Sequence, residues 1–208
     1  MKNSPIQGLY AITDPGLIPD AQLLDRILSA IKGGIDVLQY RNKQATAETQ
    51  LKQAALLQEI CRQHNICFII NDDPQLARKV HADGVHLGQQ DSSLRNTREF
   101  LGASFLIGVS CYNQLDLALS AQHNGADYVA FGRFFSSRTK PNAVPAQREL
   151  IQQARQHIHL PLVAIGGINH TNIHYFSSSP PDAYAVIDGI FGTADIQANC
   201  QALLKHIN

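Results

Sequence analysis

Eight short runs rich in β-branched and aromatic residues punctuate the chain, and most are separated by segments whose apolar residues recur at helical spacing. The runs are Leu9 to Thr13, Asp36 to Tyr40, Cys67 to Asn71, Gly84 to Gly88, Leu106 to Ser110, Tyr128 to Gly132, Leu162 to Gly166 and Tyr184 to Asp188. After the first run, Leu23, Leu24, Ile27, Leu28 and Ile31 form one helical stripe, with Asp20 placed as its N-cap. A second stripe follows at Leu51, Ala54, Leu57, Ile60 and Cys61, and weaker ones at Leu115, Ala118, Leu119 and at Cys200, Leu203, Leu204. Strand then helix, eight times at about 26 residues per unit, is the pattern of an α/β protein with a parallel sheet. Eight units predict closure into a single (β/α)8 TIM barrel over residues 1–208. An open doubly wound sheet is the competing arrangement.

Composition narrows the function. A chain of 208 residues, 44% hydrophobic, buries one substantial core. Seventeen basic residues against seventeen acidic ones leave no basic footprint for nucleic acid. No run of about 18 apolar residues suits a membrane, and Met1 to Gly8 lacks the apolar core of a signal peptide, so a cytoplasmic protein acting on small molecules is expected. The four cysteines form no CxxC pair and are read as reduced, mostly buried thiols. No exposed apolar patch is identifiable from the string, which leaves homo-oligomerisation open.

In a parallel barrel, chemistry sits at the C-terminal ends of the strands. The second strand ends in Gln39-Tyr40-Arg41-Asn42-Lys43, where Gln39, Arg41 and Lys43 share one face if the segment stays extended. That spacing suits a polyphosphate, and equally an ordinary solvated strand end. The third strand ends in Asn71-Asp72-Asp73, and the fourth leads through Gly88 to Asp91. Asp72 and Asp91, from neighbouring strand ends, are the pair expected to converge on Mg²⁺, which keeps water and phosphate among its oxygen ligands. Asp73, before Pro74, reads as a helix cap. His86, inside an apolar run, reads as a hydrogen-bonded core histidine rather than a general base. Ser110 ends the fifth strand without the surroundings of a nucleophile, so hydrogen bonding to a bound ring is its milder role. The loop from Arg133 to Pro145 carries hydroxyls and cations, including Lys140, and is the candidate lid. Gly166-Gly167 after the seventh strand and the segment near Gly189 after the eighth lie where such barrels grip phosphate. Two anion sites on one barrel mouth suit an enzyme that joins two phosphorylated small molecules.

These residues carry a resemblance that runs from about Gly8 to Phe191. The motifs Leu9-Tyr10-Ala11-Ile12-Thr13-Asp14, Gln39 to Lys43, Ile69-Ile70-Asn71-Asp72, Gly84 to Gln89 through Asp91, Ile107 to Ser110, Thr139-Lys140 and Val163 to Ile168 are similar to those of the thiamine-phosphate synthase (thiamine-phosphate pyrophosphorylase) family. The resemblance implies a barrel that condenses 4-amino-2-methyl-5-hydroxymethylpyrimidine diphosphate with hydroxyethylthiazole phosphate, or its carboxylated form. It implies that Gln39, Arg41, Lys43, Asn71 and Lys140 hold the pyrimidine diphosphate and that Ser110 contacts the pyrimidine. It implies Mg²⁺ on Asp72 and Asp91, and thiazole phosphate on Ser137, Thr139, Gly167, Ile187 and Asp188. Catalysis is then expected of Arg41, Lys43, Ser110 and Lys140.

The chain departs from the family pattern at two places. Asp188 stands where many members carry Ser, and a carboxylate beside a phosphate repels it unless the backbone does the binding. Ser137 stands where Thr is common, which keeps the hydroxyl. Two other readings remain: a thiazole tautomerase that shares the barrel but has no diphosphate to hold, and a non-catalytic binder of thiamine phosphate.

Overall fold

A computed structural model describes residues 5–136 and 144–207. Eight parallel strands close a barrel in chain order: β1 (Gly8–Ile12), β2 (Val37–Tyr40), β3 (Cys67–Asn71), β4 (Gly84–Leu87), β5 (Leu106–Ser110), β6 (Tyr128–Phe131), β7 (Leu162–Ile165) and β8 (Ala183–Val186). β8 returns to pair with β1, Gly8 opposite Ala183, so the sheet is closed and the doubly wound alternative falls away. The outer layer is α1 (Leu23–Lys32), α2 (Ala47–His64), α3 (Pro74–Val80), α4 (Leu94–Leu101), α5 (Leu115–His123), α6 (Glu149–Arg155), α7 (Asp188–Phe191) and α8 (Ile196–Leu204).

Local chemistry explains most boundaries. Asp73 caps α3 as expected, its Oδ1 accepting from Leu76 N at 2.9 Å with Pro74 in the first turn. Thr46 caps α2 by accepting from Thr49 N, and Asn65 ends that helix in the left-handed conformation at φ 57°. Asp20 does not cap α1. It opens a short 3₁₀ turn, Asp20–Gln22, and its carboxylate accepts from Gln53 Nε2 instead, so the helix begins at Leu23 without a side-chain cap. The eighth strand stops at Val186, two residues before the predicted end, because Asp188 begins α7. After β7 a single 3₁₀ turn, Ile173–Phe176, replaces the expected helix, while two helices follow β8.

Strand alternation sorts the side chains into two cores. Tyr10, Ile12, Val37, Ile69, Tyr128 and Val163 fill the barrel interior, whereas Leu9, Leu38, Phe68, Val85 and Phe131 face the helices. Each fully buried Leu, Ile or Phe contributes about 1.5–3 kcal/mol. The four cysteines are free and buried.

The foot of the barrel is held by a repeated device. Asp36, Asp83, Asp127 and Asp182 precede β2, β4, β6 and β8, and each carboxylate accepts the backbone N–H of a residue in the strand before: Leu9 at 2.9 Å, Phe68 at 2.7 Å, Ile107 at 2.7 Å and Leu162 at 2.6 Å. Arg98 pairs with Asp127 and Arg155 with Asp182. These ties fix where paired strands begin, and therefore which residues emerge at the opposite end.

Candidate active site

That opposite end opens into a cavity of about 260 Å³ lined by every second residue of the strands. Tyr10 and Ile12, Gln39 and Arg41, Asn71, His86, Ser110 and Tyr112, Ala130 and Gly132, Ile165 and Gly167, and Ala185 and Ile187 follow that spacing around the ring. A more open cleft of about 780 Å³ adjoins it through Asn71, with Lys43, Asp72 and Asp91 on its walls. Gln39 and Arg41 therefore share a face as expected, but Lys43 turns to the neighbouring cleft.

Cations and carboxylates are interleaved on this rim. Thr13, 3% exposed, ties the ends of β1 and β2 by accepting from Arg41 N at 2.8 Å and donating to Arg41 O at 3.1 Å. The Arg41 guanidinium lies 3.8 Å from Asp14. Lys43 Nζ lies 2.6 Å from Asp72 Oδ2. Asp72 sits at φ 63°, a backbone state that Asp tolerates better than most residues, and its N–H donates to His86 O, anchoring the turn on β4. Asp91 folds back so that its Oδ2 accepts from Gly88 N at 2.6 Å.

The two carboxylates face one another closely enough to influence each other's protons. Burial pushes Asp72 up, but Lys43, with Asp91 and Asn71 bonded to it, outweighs burial and holds it below the ordinary range. Burial and the bond to Asp72 push Asp91 above that range. Two mutually repelling carboxylates on an open cleft form a hard-oxygen set that fits a divalent cation. No cluster of three or more His, Cys, Asp or Glu side chains suited to a metal occurs among the described residues. The remaining coordination positions would go to water and phosphate, the arrangement Mg²⁺ favours.

Across the mouth, backbone replaces charge. Gly167, at φ 67°, lies so close to the preceding loop that a Cβ there would stand 2.3 Å from Ser136 O, so only glycine fits. Asn172 Nδ2 donates to Gly167 O at 2.9 Å and fixes the turn. Ile187 is half-buried against the interior core, and Asp188 is exposed at the start of α7 on the cavity edge. Ser137, Thr139 and Lys140 lie outside the described residues.

Sequence reasoning missed part of the lining. His86 is hydrogen-bonded as expected, yet it faces the cavity, with Nε2 2.9 Å from Ser110 Oγ and Nδ1 3.1 Å from Tyr128 Oη. Tyr10 and Tyr128, to which the sequence assigns no site role, lie buried beneath the cavity with their hydroxyls 2.9 Å apart. A signal for Tyr128 lies in Gly108, opposite it on β5: a Cβ there would stand 2.0 Å from the tyrosine ring. Tyr112, also unforeseen, lines the cavity at φ 51°.

Comparison with known proteins agrees with this fold. The sequence profile described as thiamine monophosphate synthase matches residues 9–190. A thiamine-phosphate synthase of Alcanivorax borkumensis is 48% identical over 193 residues, covering 93% of this chain and 89% of that protein. One of Nitrosococcus oceani is 46% identical over 204 residues, covering 98% and 94%. The solved thiamine phosphate pyrophosphorylase of Pyrococcus furiosus superposes with a TM-score of 0.87 at 30% identity, covering 97% of this chain and 95% of that one. With family profile, near-full-length relatives and barrel in agreement, the chain belongs to the thiamine monophosphate synthase family.

Proposed function

We propose that the protein is a thiamine-phosphate synthase: it transfers the pyrimidinylmethyl group of 4-amino-2-methyl-5-hydroxymethylpyrimidine diphosphate to hydroxyethylthiazole phosphate, or its carboxylated form, giving thiamine phosphate and releasing diphosphate, and carbon dioxide as well from the carboxylated form. The observation that carries this reading is one mouth with two unlike anion grips, Arg41, Lys43, Asp72 and Asp91 on one side and Gly167 on the other. The pyrimidine diphosphate is assigned to Gln39, Arg41, Lys43 and Asn71, with Ser110 on the ring and Lys140 from the loop. The thiazole phosphate is assigned to Gly167, Ile187 and the backbone at Asp188, with Ser137 and Thr139 from the same loop. Asp72 and Asp91 would hold Mg²⁺, which supplies neutralisation of the diphosphate charge. The protein is read as cytoplasmic, with small molecules as its only substrates; none of the described helices is long and apolar enough to cross a membrane.

Electron release from the aminopyrimidine into its methylene carbon lets the carbon–oxygen bond to diphosphate break before the thiazole nitrogen attacks. The residues' task is then to hold the leaving group as its charge grows. Arg41 and Lys43 donate to phosphate oxygens from fixed positions, and each such preorganised donor is worth about 2.7–4 kcal/mol of barrier. Tyr10, Ile12, Ala130 and Ile165 give the cavity an apolar floor, which would keep water from the reactive carbon once the ligands fill it. The test is turnover of both substrates with Mg²⁺, following thiamine phosphate and diphosphate, beside a chelator control. Equimolar products that disappear with the chelator support the reading. Binding of thiazole phosphate without coupling points to the tautomerase.

A further inference from the structure

A line of five side chains crosses the floor of the cavity. Gln39 Nε2 lies 2.7 Å from Tyr10 Oη, which lies 2.9 Å from Tyr128 Oη; Tyr128 Oη lies 3.1 Å from His86 Nδ1, and His86 Nε2 lies 2.9 Å from Ser110 Oγ. Its two ends, Gln39 and Ser110, face the same cavity from β2 and β5. Its middle is dry, with Tyr10 1% and Tyr128 0% exposed. Burial pushes both phenols well above their ordinary range, so each hydroxyl keeps its hydrogen.

Hydrogen counting gives the line a direction. The Gln39 amide nitrogen only donates, so Tyr10 Oη accepts there and gives its single hydrogen to Tyr128. Tyr128 passes its own hydrogen to His86 Nδ1, which must then be a bare acceptor. The imidazole therefore carries its hydrogen on Nε2 and donates it to Ser110 Oγ. Ser110 is left with its hydroxyl hydrogen for the cavity, and Gln39 with its carbonyl oxygen.

We infer that Tyr10, Tyr128 and His86 are positioning residues that form a one-way hydrogen-bond relay, presenting Ser110 to the ligand as a donor and Gln39 as an acceptor. This pairing complements an aminopyrimidine, which offers a ring nitrogen as acceptor and an amino group as donor; the ligand assignment rests on the proposed function. A pyrimidine bearing an oxo group in place of the amino group meets Gln39 acceptor to acceptor and is rejected. Selectivity is thus read by Gln39 on β2 and Ser110 on β5, whose hydrogens are set by Tyr10, Tyr128 and His86 at the centre of the barrel.

The relay is tested first in ligand-free protein, by nitrogen NMR of the ¹⁵N-histidine-labelled full chain, with the His86 signals identified by their loss in His86→Asn. A neutral ring protonated on Nε2 is expected, and a mixture of the two tautomers in Tyr128→Phe. A wild-type ring protonated on Nδ1 means that the line runs the other way and overturns the relay. The ligand assignment is tested by kinetics of Tyr128→Phe and of the milder Tyr10→Phe. KM for the pyrimidine diphosphate should rise about 10-fold while KM for thiazole phosphate stays unchanged. A shorter preference for the amino over the oxo pyrimidine should accompany it. Equal effects on both substrates, or none, overturn the assignment. A protein with the Nε2 tautomer that forms no thiamine phosphate refutes the functional reading and the ligand assignment while leaving the relay intact.

Discussion

Aspartates serve the two ends of this barrel in opposite ways. At the foot, Asp36, Asp83, Asp127 and Asp182 each accept a backbone N–H of the strand before, so each carboxylate has a structural donor. At the mouth, Asp72 and Asp91 face each other, and repulsion between them is relieved only in part by Lys43 and Gly88 N. The same side chain is a clamp where it meets a backbone N–H of the neighbouring strand, and half of a facing carboxylate pair where it meets its like. The repeated carboxylate ties thus lie at one end of the barrel and the cavity at the other, a separation this architecture generally allows.

The sharpest break of that comparison is a mouth carboxylate against a foot carboxylate. Asp72→Asn, which keeps the left-handed backbone, should lower turnover by about 10²–10³-fold with only a small change of melting temperature, read by steady-state rates against Mg²⁺ and by thermal unfolding. Asp127→Ala should do the reverse. It leaves Ile107 N–H and Arg98 without their carboxylate, costs about 1–3 kcal/mol, and lowers Tm by about 2–4 °C per kcal/mol while kcat holds. A large rate loss in Asp127→Ala at a temperature where it is folded would erase the division of labour.

Acid sharpens it further. Asp91 is raised above the ordinary value of 3.8, so on acidification it takes a proton before Asp72 does. Activity at limiting Mg²⁺ should therefore fall on an acid limb that starts above the usual carboxylate range, and saturating Mg²⁺ should push that limb to lower pH. For the metal-free protein the signs differ between the partners. The contribution of Asp91 is present below pH 3.8 and lost as pH rises through its raised value; that of Asp72 is present above 3.8 and lost as pH falls through its lowered one. Asp91→Asn should thus raise the Tm of the metal-free protein at neutral pH. The smallest effect belongs to Asp188, exposed at the backbone-lined side. Asp188→Asn should lower KM for thiazole phosphate about threefold, on the order of 0.6 kcal/mol, as for a surface charge in water.

Much of this was legible in the chain, for particular reasons. Strand ends are readable because a β run stops where polar residues begin, and that rule located Gln39, Arg41, Asn71, Asp72, Asp91 and Ser110. Lys43 lines a different wall from Arg41 because β2 ends at Tyr40 and the extended alternation carries only as far as Arg41. Tyr10 and Tyr128 were invisible as site residues, since a tyrosine inside a strand looks the same whether its hydroxyl meets water or another hydroxyl. The foot aspartates carry no signal of their own because an acidic residue before a strand also reads as a turn, and only the folded chain shows that four of them repeat one contact. The missing helix after β7 had no stripe to predict it, and Asp20 reached across to Gln53, a partner 33 residues away that no local pattern reveals.

The foot also bears on the order in which a ring can be assembled. Its four ties close loops of 27, 15, 20 and 20 residues, each within one strand pair. The seam between β1 and β8, by contrast, joins Gly8 to Ala183, about 175 residues apart. Loop-closure entropy grows with the logarithm of length, by about 0.6 kcal/mol per doubling, so the seam costs about 2 kcal/mol more to bring together than a tie. The chain is, in this sense, four short self-registering pieces and one long join, and the cavity at the mouth, lined from all eight strands, is complete only when that join has formed.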